Sequence, residues 1–274
     1  MAGKLSISRA WDESREIVAR EGRLITSVAL ALIVLPGTIV GLVAPPMTLT
    51  GEEPPAWAGA LGLLVGLITI AGQIAITRLA LGPETSVRDA INHGARRLFP
   101  AFGAALLFAI IASLVLLPLF MVLVGTENLK SMATAPSPQV GMAVLLVLVL
   151  ALLIGVKLQM IVPVATAEEG GPWRILKRSW QMTNGHYWRL LAFLMLCMVV
   201  LVVVVLFVGQ MTVGVLIKGM FGDVDALSIG ALIAALIGSA IQAVFAALLA
   251  IMLARIYAQL AGGEAEASVP SSGS

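Results

Sequence analysis

The stretch LLAFLMLCMVVLVVVVLFVGQ, residues 190–210, decides the fold, because no charged side chain interrupts it. At about 1.5 Å of rise per residue, a helix of that length crosses the roughly 30 Å hydrocarbon core of a bilayer. In lipid every backbone N–H and C=O must be satisfied within its own segment, so the run is helical even through Val202, Val203, Val204 and Val205, residues that elsewhere favour strand. Working outward, five more windows of this kind appear at 24–43, 57–76, 101–124, 141–165 and 228–254, and Lys157 is the one charged residue inside any of the six. The expected fold is all-α and integral to the membrane, with six transmembrane helices in a single domain over 1–261. The Gly-, Ser- and Ala-rich residues 262–274 are expected to form a disordered cytoplasmic tail.

Composition agrees with the windows. The 274 residues are 59% apolar and 12% charged, whereas a soluble globular chain carries roughly 25% charged residues. A soluble domain of this size could not cover itself with so few charges. One cysteine, Cys197, excludes a disulfide scaffold. A net charge of +2, concentrated at the span boundaries, gives no basis for a nucleic-acid partner.

The positions of Lys and Arg set the orientation. Five lie before the first span (Lys4, Arg9, Arg15, Arg20, Arg23), four in the second loop (Arg78, Arg88, Arg96, Arg97), four in the fourth loop (Arg174, Lys177, Arg178, Arg189), and Arg255 at the tail. The alternate loops hold only Lys130 and Lys218. Cytoplasmic loops retain the positive excess, so both termini are expected in the cytoplasm. The first apolar run is too long, and follows too long a polar stretch, for a cleaved signal peptide, so it is expected to stay in the protein.

Each odd-numbered span is preceded by a stretch that mixes bases with apolar residues at helical spacing: Ile7, Trp11, Ser14, Val18; Val87, Ile91, Ala95, Leu98; Trp173, Leu176, Trp180, Thr183. Each ends in a base followed by leucine, at Arg23-Leu24, Arg97-Leu98 and Arg189-Leu190. This predicts three repeats of an interfacial amphipathic helix plus a two-helix hairpin. Four of the five tryptophans (Trp11, Trp173, Trp180, Trp188) fall on that side, the arrangement of a helix lying at the headgroups of anionic lipid. An ordinary aromatic belt accounts for the same positions.

Helices in lipid associate through close backbone approach, which small residues permit. The sixth span carries Gly230, Ala234, Gly238, Ala246, Ala250 and Ala254 along one face, and the second has Gly62 and Gly66. Both spans are expected at the centre of the bundle, and the bulky fifth span toward lipid. Pro36, Pro118 and Pro163 are expected to kink their helices.

Residues for chemistry are few. His93 and His186 lie in the basic stretches, there is no metal-ligand spacing or phosphate loop, and no cofactor motif is present. All 15 acids lie outside the six windows, which argues against carboxylate-coupled transport. Cys197 reads as a small hydrophobe. Lys157 is the costly residue, at about 2.5–3.5 kcal/mol on insertion scales. It either snorkels toward the span end at Ala165 or forms part of a lipid or anion site with Gln73, Gln159 and Gln242 as polar neighbours.

The segment Arg178-Ser179-Trp180-Gln181-Met182-Thr183-Asn184-Gly185-His186-Tyr187-Trp188-Arg189-Leu190 resembles the recurring entry to the fifth span in a bacterial family of six-span proteins. That family comprises the membrane domain fused to some glycerophosphodiester phosphodiesterases, with its stand-alone and YciC-like relatives. Met182 replaces the usual leucine. The resemblance implies an inner-membrane protein concerned with lipid or envelope maintenance, without the phosphodiesterase domain. It also implies an interfacial role for Trp180 and Trp188, a turn into the span at Gly185, and headgroup contacts for Arg178 and Arg189. The first expectation is therefore a non-enzymatic, lipid-interacting protein with the bilayer's anionic headgroups as partners, leaving room for a homo-oligomer or a further membrane partner. The alternative is a transporter or flippase-like conduit for an anionic or amphipathic substrate through Lys157 and the glutamines.

Overall fold

The structure, a computed structural model, describes residues 5–43, 56–82, 86–131, 138–208, 218–221 and 228–268. The described residues are helical apart from short turns, and six helices among them are long and apolar enough to cross a membrane. The first crossing is α1 (Ile7–Ala29), a π-helical turn at Leu30–Val34, and α2 (Leu35–Val43). The second is α3 (Ala56–Leu81) and the third α4 (Val87–Ser131). The fourth is divided into α5 (Pro138–Gly155), a 3-10 turn at Val156–Leu158, and α6 (Ile161–Ala167). After α7 (Pro172–Asn184) come the fifth crossing, α8 (Tyr187–Val208), the short α9 (Lys218–Phe221) and the sixth crossing, α10 (Ile229–Ser268).

Proline and glycine explain the irregularities. Pro36 cannot donate to the carbonyl of Leu32 and its ring crowds that carbonyl, and the helix widens into the π-turn just before it. Thr38 donates its hydroxyl to the Val34 carbonyl at 2.7 Å, satisfying an acceptor there. Pro163 stands just after the break in the fourth crossing, whereas Pro118 is accommodated inside α4. Gly125 adopts φ +75°, a conformation open to glycine, and ends the third apolar run after Val124.

Two expectations about the units change. Only the third has a separate helix, α7, before its span; the stretches from Ile7 and Val87 run on into their crossings. Gly22 leaves α1 helical, so no break separates its basic stretch from its span. The second change concerns which residues pack. Ala10, Ser14 and Ile17 face inward on α1, and Ile175, Ser179 and Met182 on α7, while Trp11, Val18, Trp173 and Trp180 remain exposed. Ala10, Ser14 and Ser179 thus meet the bundle together with aliphatic side chains, and the tryptophans turn outward.

α10 and α3 are central as expected: α10 packs on α1, α2, α3 and α6, and α3 also packs on α4. The close approaches, however, are not where the sequence placed them. A Cβ on Gly62, Gly66 or Gly238 would meet nothing within 4 Å. Instead Gly37 and Gly41 of α2 face Ser239 and Ala235 of α10, with an added Cβ 3.0 Å from each, and Gly94 of α4 lies against the backbone of α3. α8 buries little beyond Leu190 and Phe193, as expected of a lipid-facing helix. α10 continues to Ser268, past Gly262 where the tail was expected to begin; residues 209–210 of the expected fifth span and 269–274 of the tail lie outside the described residues.

Candidate functional site

Burial concentrates at the end of the bundle that carries the basic stretches. Ile74, Ile76 and Leu79 on α3, Met160, Ile161 and Val164 around α6, and Ile251, Ile256 and Leu260 on α10 are all buried there. Polar links tie the three units together at this end. Arg255 pairs with Glu13 at 2.7 Å, Arg97 with Glu169 at 3.0 Å, and Arg178 with Glu168 at 3.0 Å. Glu168 also accepts from Tyr257 Oη. His93 Nε2 donates to the Thr166 carbonyl at 2.9 Å, and the Ser6 amide donates to Gln259 Oε1 at 3.1 Å. Residues of all four basic or terminal segments therefore lie together.

The divided fourth crossing is the centre of this arrangement. α5, with 18 residues, is about 27 Å long and so covers most of the roughly 30 Å hydrocarbon core by itself. The break follows because Pro163 offers no N–H to the Gln159 carbonyl and crowds it. Two carbonyls near the break take hydroxyl donors from the segment singled out in the sequence: Ser179 Oγ donates to Lys157 O at 2.6 Å, and Tyr187 Oη to Leu153 O at 2.8 Å. Such replacement is what an interrupted helix requires where water is scarce.

Lys157 sits at the break and turns toward α7. Its ammonium donates to Asn184 Oδ1 and stands 4.9 Å from the ring centre of Trp180 and 5.2 Å from that of Tyr187. A cation over two aromatic faces with one amide oxygen is held without a carboxylate. None of the three glutamines hydrogen-bonds to it among the described residues. Both amide atoms of Gln159 are buried without a hydrogen-bond partner among the described residues. Gln73 is half-buried on α3, and Gln242 lines a separate cleft of about 460 Å³ with Leu201, Val205 and Gly238 between α8 and α10.

The other residues of the segment divide between inward and outward roles. Arg178 is engaged by Glu168, and Arg189 donates to the Leu5 carbonyl at 2.9 Å, so both make contacts within the protein. Trp188 is 76% exposed and meets Tyr187 edge to face. Gly185 closes α7 as expected, but with φ −75° and open space where a Cβ would be, so neither backbone nor packing demands glycine there. His186 is partly buried, and this desolvation, with the nearby Arg189 charge, holds its pKa below the ordinary imidazole value. Ser179, Asn184 and Tyr187 were the partners the sequence did not assign; the signal available was Pro163, which frees the Gln159 carbonyl and so marks a break in the helix close to Lys157.

Among the described residues no group of three His, Cys, Asp or Glu stands close enough to hold a metal. The chain is thus a multi-pass helical membrane protein whose fourth crossing is broken and clasped by the helix that follows it. More particularly, residues 5–260 match the family described as a domain of unknown function, DUF7847, and the chain belongs to that family. No curated protein and no solved structure matches it.

Proposed function

We propose that this is a non-enzymatic, lipid-interacting protein of the bacterial inner membrane, with both termini in the cytoplasm, that serves membrane or envelope maintenance. One observation carries the reading. At the packed end, exposed Trp11 and Trp173 stand on the same helices as Arg15, Arg174 and Lys177, bases with no ion-pair partner among the described residues. Indoles beside unpaired bases suit the headgroup layer of an anionic leaflet. The bias of Lys and Arg toward this end supports its cytoplasmic placement, and the resemblance of residues 178–190 to the six-span bacterial domain supports the inner membrane.

The test is the lipid that accompanies the protein in polymer-extracted membrane discs. Replacing Arg15 and Arg174 together by Gln should lower the share of phosphatidylglycerol in the discs; an unchanged share would overturn the reading. A conduit has one observation in its favour, the cleft in which Gln242 faces α8. Flux of an anionic amphiphile in proteoliposomes that is lost in Gln242→Leu would establish it over the first reading.

A further inference from the structure

Between α4 and α7 runs an apolar groove of about 510 Å³, walled on one side by Phe108, Ala112 and Val115 and on the other by Trp173, Lys177 and Trp180. The spacing explains the walls. Residues 108, 112 and 115 share one face of α4, and residues 173, 177 and 180 share one face of α7. Lys177 is therefore set between two indoles at the rim. Its ammonium makes no hydrogen bond or ion pair among the described residues, unlike the neighbouring Arg178, which is held by Glu168.

The groove has a direction. α7 belongs to the packed, basic end, and α4 leaves that end as it runs from Val87 toward Gly125. From Phe108 to Val115 the α4 wall descends about 10 Å into the apolar layer. A charged group at one end and a hydrocarbon wall leading away from it match the two parts of a phospholipid. Trp180 is also held by Lys157, whose ammonium lies 4.9 Å from the indole centre, so the wall that Trp180 forms has a partner within the protein.

We infer that this groove seats one anionic phospholipid, with its phosphate on Lys177 between Trp173 and Trp180 and an acyl chain along the Phe108, Ala112 and Val115 face. The inference rests on the lipid-interacting reading above and narrows it from a diffuse basic edge to a single bound lipid. Charge complementarity selects the occupant, since an uncharged amphiphile would leave Lys177 unanswered.

The full chain is washed in detergent until its lipid annulus is gone, exposed to vesicles of phosphatidylglycerol or of phosphatidylcholine with the same chains, and weighed by native mass spectrometry. Wild type should retain one phosphatidylglycerol about fivefold better than phosphatidylcholine, the preference that one base near the surface confers. Lys177→Gln, on an exposed position, should abolish the preference, and Ala112→Leu should reduce retention of both lipids by filling the chain's path. Arg88→Gln, a base that does not line the groove, should change neither. If Arg88→Gln lowers the preference as much as Lys177→Gln, or Ala112→Leu leaves retention intact, the seat is refuted while the diffuse reading stands. If no variant and no wild-type sample prefers phosphatidylglycerol, and the polymer discs also show no enrichment, both fail.

Discussion

At the basic end of the bundle, residues 74–80 of α3, the turn and helix at 156–166, and the last buried turns of α10 are packed against one another and joined by side-chain links from Glu13, Glu168, Glu169 and Gln259. At the other end the same helices expose Leu63, Leu64, Leu145, Leu148, Leu232 and Leu236, and a cleft opens between α8 and α10. The difference follows from the solvent on each side. Lipid tails are as apolar as leucine and exert no pressure to close the far halves together. Near the headgroups, polar side chains can find partners, and helices with small inward faces can approach closely. Organisation is thus greatest at the end that carries the charged links, while the far half is held by local contacts such as Gly37 on Ser239, Gly41 on Ala235 and the small cluster of Val124, Val140 and Ala143.

The sharpest way to break this contrast is one glycine at each end. A Cβ on Gly94 would stand 2.5 Å from the Ala71 carbonyl oxygen, whereas Gly62 has open space. Gly94→Val should destabilise the protein by about 3 kcal/mol or more, with loss of folded protein in size-exclusion profiles, and Gly62→Val should change its melting temperature little. Next in size is the clasp. Ser179→Ala leaves the Lys157 carbonyl without its hydroxyl donor and should cost about 2 kcal/mol, read as a lower melting temperature in detergent. Lys157→Met keeps the stem packed but loses the amide bond and the aromatic contacts. The expected loss is about 1 kcal/mol, accompanied by a change in indole emission from Trp180; a gain in stability would mean that the cation is strained where it sits.

Smaller effects are expected from the ion pairs. Arg255 and Glu13 are each 28% exposed, so Glu13→Gln should cost only about 0.5 kcal/mol, and less in high salt. The least effect concerns His186. Its folded-state pKa lies below the ordinary value of 6.5, so the unfolded chain binds the proton more readily. Its contribution to stability is complete above about pH 6.5 and is lost as the pH falls through the lower folded value. His186→Gln should remove that part of the acid-side slope in melting temperature.

The six crossings were legible because length and absence of charge are all a bilayer asks of a span. The peripheral place of α8 was legible from side-chain bulk and the central place of α10 from its alanines, whereas α3 is central without using the Gly62 and Gly66 face that suggested it. What could not be read was which small face meets protein. Gly37 and Gly41 form the same pattern as Gly62 and Gly66, yet only the first pair packs. Lipid and protein interior are equally apolar, so hydropathy does not distinguish them. The partners of Lys157 were hidden for a different reason. Asn184 lies on a helix whose placement depends on the break at Pro163, and periodicity within α7 says nothing of what the helix rests against. The glutamines illustrate the converse: they are polar residues in spans, but none is a hydrogen-bond partner of Lys157, and Gln242 lines the cleft beside α8.

Cysteine labelling in intact cells tests the account most directly. In a Cys197→Ala background, Arg88→Cys and Lys177→Cys should resist a membrane-impermeant maleimide until the inner membrane is permeabilised, while Glu52→Cys and Asp225→Cys should react at once when the outer barrier alone is opened. Ready labelling at 88 or 177 from outside, with protection at 52 and 225, would place the packed basic end on the wrong face of the membrane and contradict the account.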